Sequence, residues 1–413
     1  MRTPLALLLS LSVLVTAGFA ANWPQFRGVN SSGLAQQAGS LPTKIGPASP
    51  SIAWKIALPP GHSSPVLHGN RIYLTAVRKQ ALVTMALRKN DGKLLWEKTS
   101  SYKSLEAIHD IGSHAQPSPA TDGQRVISLF GSSGMSCYDV EGKLLWHRKM
   151  GPFNNDFGAG TSPIIVDDRV ILVQDHDTGS FLASYDKKTG KELWKTDRGE
   201  FPRNYCSPII WTVAGKKQIV VAATLRVIGY DFASGKELWT VRGLSRAVCM
   251  TPVVGDDGKL YVAGWARGGD IDERISVKPF AQVATAKDKN NNGTLERDEL
   301  EKGTAIERRF PQVDRDKTGT ITKQEYEYYR VLFDTARNVV LAIRPGGKGD
   351  VTQTHVAWEF RPENGSYNHY PGRVFAQFMA FYNEAAGLYL ACDDTAGHVK
   401  LIKALHRDPG MRL

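Results

Sequence analysis

Apolar positions along the chain fall in short runs such as IYL, VISL and VILV, separated by Asp-Gly, Glu-Gly, Thr-Gly or Ser-Gly. Runs of this length and alternation predict half-buried or fully buried β-strands. The glycines mark tight reversals, where a positive φ is needed. Two units recur. The first is strand, turn and strand ending in Trp: MALRKNDGKLLW (85–96), MSCYDVEGKLLW (135–146), LASYDKKTGKELW (182–194) and VIGYDFASGKELW (227–239). The second is Ser/Thr-Pro followed by an apolar strand, at 63–75, 117–130, 161–173, 206–221 and 251–264. Proline sits at the strand entry, where a missing N–H does least harm. The tryptophans offer flat surfaces for packing between neighbouring sheets.

A four-stranded unit of about 45 residues reads as one blade of a β-propeller. Blades are expected to start near Ser64, Ser118, Ser162, Ser207 and Thr251, with a sixth over Ala376–Leu405. SIAWKIAL (51–58) reads as an outer strand that completes the last blade and closes the ring, leaving no open sheet edge. The expected fold is therefore all-β, a propeller of six four-stranded blades. Seven or eight blades are the alternatives, should degenerate ones lie near 267–280 or 345–375.

The repeat xLxAxDxxTGKxxW resembles that of the pyrroloquinoline-quinone-like propellers, which include quinoprotein alcohol dehydrogenases and BamB-like outer-membrane assembly factors. LASYDKKTGKELWKT is the nearest copy, whereas MALRKNDGKLLW has Arg88 where Asp is usual. The resemblance implies either a quinone-dependent dehydrogenase or a binding scaffold. The dehydrogenases typically carry an adjacent Cys-Cys pair, a calcium ion in the propeller and eight blades. This chain has no Cys-Cys pair, which argues against pyrroloquinoline quinone.

One stretch breaks the β pattern. Residues 267–337 separate two parts of a blade and contain two candidate EF-hand loops, forming a small α-helical insertion. Such a loop needs oxygen ligands at positions 1, 3, 5, 7 and 12 and Gly at position 6. The first supplies Asp288, Asn290, Asn292, Thr294 (carbonyl) and Glu299 around Gly293. The second supplies Asp314, Asp316, Thr318, Thr320 (carbonyl) and Glu325 around Gly319. Glu296 and Thr322 hold position 9, and Leu295 and Ile321 hold position 8, where two loops pair through a short β-bridge. Two calcium ions are expected. Lys287, Lys289 and Arg297 flank the first loop and weaken it, so roughly 10⁻⁵ to 10⁻³ M affinity is expected. The insert reads as a calcium-ordered surface projection.

The division is a leader (1–20), an extended segment (21–50), the propeller (51–266 and 338–413) and the insertion (267–337). The leader has one charge, Arg2, an apolar core and small residues at Gly18 and Ala20, which predicts export to the periplasm or beyond. No later apolar run is long enough to span a membrane. The net charge of +11 is scattered rather than striped with aromatics, which argues against nucleic acid. The four cysteines, Cys137, Cys206, Cys249 and Cys392, show no metal or haem spacing.

Loop residues that could line a channel site are His62, His109, Asp110, His114, Asp156, Asp175, His176, Asp177, Arg203, Asn204 and Tyr205. A His/Asp group could ligate metal or act in acid–base chemistry, but the favoured reading is that these residues cap turns and satisfy backbone groups. No catalytic motif accompanies them. An aromatic stretch, Tyr367, His369, Tyr370, Phe375, Phe378, Phe381 and Tyr382, could add a contact face. The function expected is an exported calcium-binding propeller that scaffolds protein or glycan partners.

Overall fold

The computed structural model describes residues 22–34, 50, 52–155, 157–264, 266, 268–269 and 274–361, together with the backbone of three strands within 379–402. Sheet one contains β1 (Val66–His68), β2 (Arg71–Arg78), β3 (Ala81–Arg88) and β4 (Leu94–Ser100) in sequential antiparallel order. Sheet two repeats this with β5 (Ala120–Thr121), β6 (Arg125–Leu129), β7 (Met135–Asp139) and β8 (Leu144–Arg148). Sheet three has β9 (Ile164–Val166), β10 (Arg169–Gln174), β11 (Phe181–Asp186) and β12 (Glu192–Asp197). Sheet four has β13 (Ile209–Val213), β14 (Lys216–Ala223), β15 (Arg226–Asp231) and β16 (Glu237–Arg242).

The second and third strands of each unit are buried almost throughout, as in β3 and β10, because neighbouring sheets cover both their faces. The fourth strand alternates between covered and open positions, as in β12.

Sheet five begins with β17 (Val253–Val254) and β18 (Leu260–Gly264), after which the insert intervenes. The insert holds α1 (Phe280–Lys287), β19 (Leu295–Glu296), α2 (Ala305–Arg308), α3 (Phe310–Val313), β20 (Thr320–Ile321) and α4 (Lys323–Thr335). The chain returns in β21 (Val339–Ile343), whose Val339 pairs directly with Gly264. A short strand, β22 (Gly349–Asp350), then adds in parallel to β16 of sheet four before β23 (Val356–Phe360) completes sheet five. Residues 349–360 therefore extend two existing sheets rather than forming a blade of their own. A three-stranded sheet of β24 (Met379–Asn383), β25 (Gly387–Asp393) and β26 (Val399–Ile402) follows.

The tryptophans act between sheets. Trp96 of sheet one lies over Gly142 of sheet two, and its indole N–H donates to the Val140 carbonyl at 2.9 Å. Trp146 repeats the contact on Gly190 and donates to Lys187 at 3.1 Å. Trp194 covers Gly235. Each of these glycines has a positive φ, and an added Cβ would lie 2.4–2.8 Å from the indole. Trp239 differs: it packs edge-on against Trp211 of its own sheet and donates to Gln218.

A bulge aims these rings. Between the third and fourth strands the register slips by one residue in all five of these sheets, leaving Leu95, Leu145, Leu193, Leu238 and Ala357 unpaired just before the tryptophan.

Residues 52–59 form no strand, contrary to expectation. Trp54 nevertheless lies over Gly92 of sheet one and donates to the Lys89 carbonyl at 2.7 Å. This is the relation that Trp96 has to sheet two.

Candidate functional site

The Ser/Thr-Pro units meet where the chain passes from one sheet to the next. The Ser64 N–H donates to Ser118 Oγ at 2.8 Å, Ser118 N–H to Ser162 Oγ at 3.0 Å, and Ser162 N–H to Ser207 Oγ at 2.9 Å. The hydroxyls form a ladder that ties four consecutive sheets at their inner ends. Each satisfies a backbone donor that the proline entry leaves without a ladder partner.

The loops on this face hold two aspartates in ion pairs. Asp175, at the end of β10, accepts from Arg198 through both oxygens, at 2.8 and 2.7 Å, and from Asn204 at 3.3 Å. Arg198 also donates to Tyr230 and stacks on Phe201. Burial pushes the Asp175 carboxyl up. Burial also pulls on Arg198, but the charge of Asp175 and the Tyr230 hydroxyl outweigh it and hold the guanidinium above its ordinary value. A guanidinium in that fork keeps its proton, and its charge and two hydrogen bonds favour the carboxylate form of Asp175 against the burial.

Asp177 accepts from Arg203 at 2.5 and 2.7 Å and lies 3.3 Å from the Lys317 ammonium. His176, between the two aspartates, is buried edge-on against Phe153. Burial lowers its pKa to about 4, and the neighbouring Asp177 only partly offsets this.

The other candidates stand apart. His109 is exposed, pairs with Asp110 at 3.0 Å and tilts against Phe157. His114 contacts the Glu106 carbonyl at 2.8 Å. Tyr205 donates to Asn155 at 2.7 Å, and Asn204 bridges to Thr224 and Val248. His62 is exposed, and its backbone N–H donates to Ala115. Among the described residues, none of these histidines shares a metal-ligating group of three with the aspartates. Asp156, Tyr367, His369, Tyr370, Phe375 and Phe378 lie outside the described residues, as do the side chains of Phe381 and Tyr382.

Residues 22–34 cross the inner strands at the opposite end. Trp23 bridges to Leu67 of β1, the Pro24 carbonyl accepts from Thr121 of β5, and Asn30 exchanges two hydrogen bonds with Ile210 of β13. A pocket of about 500 Å³ lies beside this segment. Its charged lining residue among those described is Asp167, which is paired with Lys217. An anionic polycarboxylate quinone needs cations around it, and the described lining of this pocket supplies none.

The carboxylates of the insert do converge. Oxygens of Asp314, Asp316 and Glu325 lie within 4.8 Å of one another. Asp314 accepts from the Thr318 and Gly319 N–H groups, and Glu325 from Arg315 and Thr322. The first loop has the same internal pattern. Asp288 accepts from Asn292 and Gly293, Asn292 accepts from Thr294, and Glu299 accepts from Lys289 and Glu296. The Asn290 amide oxygen accepts from Asn292, while Thr318 and Thr320 lie hydroxyl to hydroxyl at 3.4 Å. Among the described residues, one carboxylate oxygen of Glu296 is buried without a hydrogen-bond partner. Leu295 pairs with Ile321 across the two loops.

The insert does not project. It has its own core of Phe280, Leu295, Phe310, Tyr326, Leu332 and Phe333, against which Leu225 of the propeller packs. Arg315 donates to the carbonyls of Asp177 at 3.2 Å and Gly199 at 2.6 Å, and Tyr328 donates to Glu200 at 2.6 Å. Sequence reasoning passed over Arg315, Lys317 and Arg198. Cations at the second and fourth positions of an otherwise acidic loop were the available signal for the first two.

Solved structures resemble the chain weakly. BamB from Moraxella catarrhalis is 13% identical with a TM-score of 0.43, the match covering 85% of this chain and 74% of that one. The quinohemoprotein alcohol dehydrogenase from Comamonas testosteroni is 11% identical with a TM-score of 0.42, over 62% and 47%. Quinohemoprotein alcohol dehydrogenase ADHIIG from Pseudomonas putida HK5 is 13% identical with a TM-score of 0.42, over 94% and 60%. No curated protein matches. Residues 38–156 and 83–266 match the family model described as outer membrane protein assembly factor BamB, together more than half of the chain. The chain belongs to this BamB-like family of pyrroloquinoline-quinone-type β-propeller repeat proteins.

Proposed function

We propose that this chain is an exported, calcium-binding β-propeller that acts as a non-catalytic scaffold for a protein or glycan partner. The observation that carries the reading is the loop face itself. Its buried aspartates, Asp175 and Asp177, are held by Arg198 and by Arg203 with Lys317, so they serve as framework rather than as acid or base. The description of the family, an outer membrane protein assembly factor, favours a protein partner. A rigid propeller of sheets presents loops on a broad face, which suits recognition.

Calcium would be held in the insert by Asp288, Asn290, Asn292, Thr294, Glu296 and Glu299, and by Asp314, Asp316, Thr318, Thr320 and Glu325. Its role there is to neutralise crowded carboxylates and order two loops. Ring closure through Trp54, as the outer tryptophan of a sixth blade, belongs to the same proposal.

The test is crosslinking and affinity capture of the full chain from an exported fraction, alongside turnover assays with quinone, calcium and alcohols. A saturable protein or glycan partner with no turnover supports scaffolding; quinone-dependent oxidation of an alcohol overturns it. Calorimetry tests the metal separately: two calcium ions are expected, with the Glu299→Gln, Glu325→Gln double variant losing both.

A further inference from the structure

We propose that calcium in the second loop, 314–325, clamps the insert onto the loop face of sheets three and four, so that calcium controls whether this face is covered. The inference rests on reading 314–325 as a calcium site. Arg315 and Lys317 interleave with Asp314 and Asp316; the Arg315 side chain leaves the loop for the propeller, and the Lys317 ammonium bridges the Pro311 carbonyl of the insert to the propeller. Arg315 donates to the Asp177 and Gly199 carbonyls, and Lys317 reaches the Asp177 carboxylate. Arg315 also lies 4.7 Å over the Tyr328 ring, which fixes its direction, while Tyr328 itself bonds to Glu200.

The same short stretch therefore faces two ways. Its carboxylates hold the loop backbone, with Arg315 N–H on Glu325 at 2.8 Å and Gly319 N–H on Asp314 at 3.0 Å. Three carboxylates so close repel one another unless a cation neutralises them. Loosening the loop to relieve that repulsion would carry Arg315 and Lys317 off their host contacts. The first loop has no such link: its hydrogen bonds among the described residues stay within the insert. Coupling between ion and docking is reciprocal, so removing the docking contacts must also weaken the ion.

The experiment is hydrogen exchange on the full chain with and without about 1 mM calcium, a concentration suited to extracellular-type sites, reading peptides across 175–204. It is paired with calorimetry of the wild type and of Arg315→Ala, Lys317→Ala. Calcium is expected to slow exchange in 175–204 several-fold in the wild type, but not in that variant or in Glu325→Gln. The double variant should bind calcium at the second loop at least about fivefold more weakly, in spite of the tightening that losing two neighbouring cations would give by itself. Calcium binding with unchanged exchange at 175–204, or with affinity unaltered in the variant, overturns the clamp while leaving the calcium site standing. Absence of calcium binding to the wild type overturns both.

Discussion

The backbone N–H of Ser118 donates to the Ser162 hydroxyl at 3.0 Å, across two sheets and 44 residues of chain. Both residues are buried, so no water can replace that acceptor. Ser162→Ala should therefore lower stability by about 1–3 kcal/mol, the usual penalty for orphaning a buried donor. Ser162→Thr, which keeps the hydroxyl, should lose less. Urea midpoints at constant slope would check this, and equal losses for the two variants would reject the ladder as the cause.

Gly142 is held by both its φ of 84° and the Trp96 ring, 2.8 Å from where a Cβ would stand. Gly142→Ala should destabilise by about 2–4 kcal/mol, combining left-handed strain with overpacking, and shift tryptophan emission. Gly258 has a φ of 75° with open space around it. Gly258→Ala should cost about 1 kcal/mol, leaving emission unchanged.

Removing one partner of the Asp175–Arg198 pair strands a charge in the interior. Arg198→Met should cost about 3–5 kcal/mol. Adding Asp175→Leu to that variant should restore part of the loss, since the stranded carboxylate is then gone. A double variant no more stable than the single one would show that packing around Arg198, not charge, sets the penalty.

His176 is kept neutral in the fold, with a pKa of about 4 against an ordinary 6.5. Because the folded value is depressed, the unfolded chain takes up the proton first. The contribution of His176 to stability is thus full above pH 6.5 and is lost as pH falls from there toward 4. The melting temperature of His176→Gln should fall less between pH 7 and 4.5 than that of the wild type. Parallel curves would mean that other groups carry the acid sensitivity.

The sequence by itself determined the repeat. Alternating apolar runs, glycine turns and terminal tryptophans are local signals, and they placed the five four-stranded sheets and the paired loops of the insert. Position 8 apolarity in both loops likewise anticipated the Leu295–Ile321 bridge. Tertiary structure alone decided what the repeated residues do for one another. The serine of each Ser-Pro unit looked like a strand-entry residue, but its hydroxyl serves the preceding sheet. Trp54, in a segment with no strand of its own, docks on Gly92. Residues 349–350 pair with sheet four instead of building a further blade. Arg315 and Lys317 turn the expected projection into a docked module, because their partners, Asp177 and Gly199, lie more than a hundred residues earlier in the chain. Periodicity records which side of a strand is apolar. It carries no information on which distant carbonyl or carboxylate will meet a given cation, since that depends on how the sheets stack around one another.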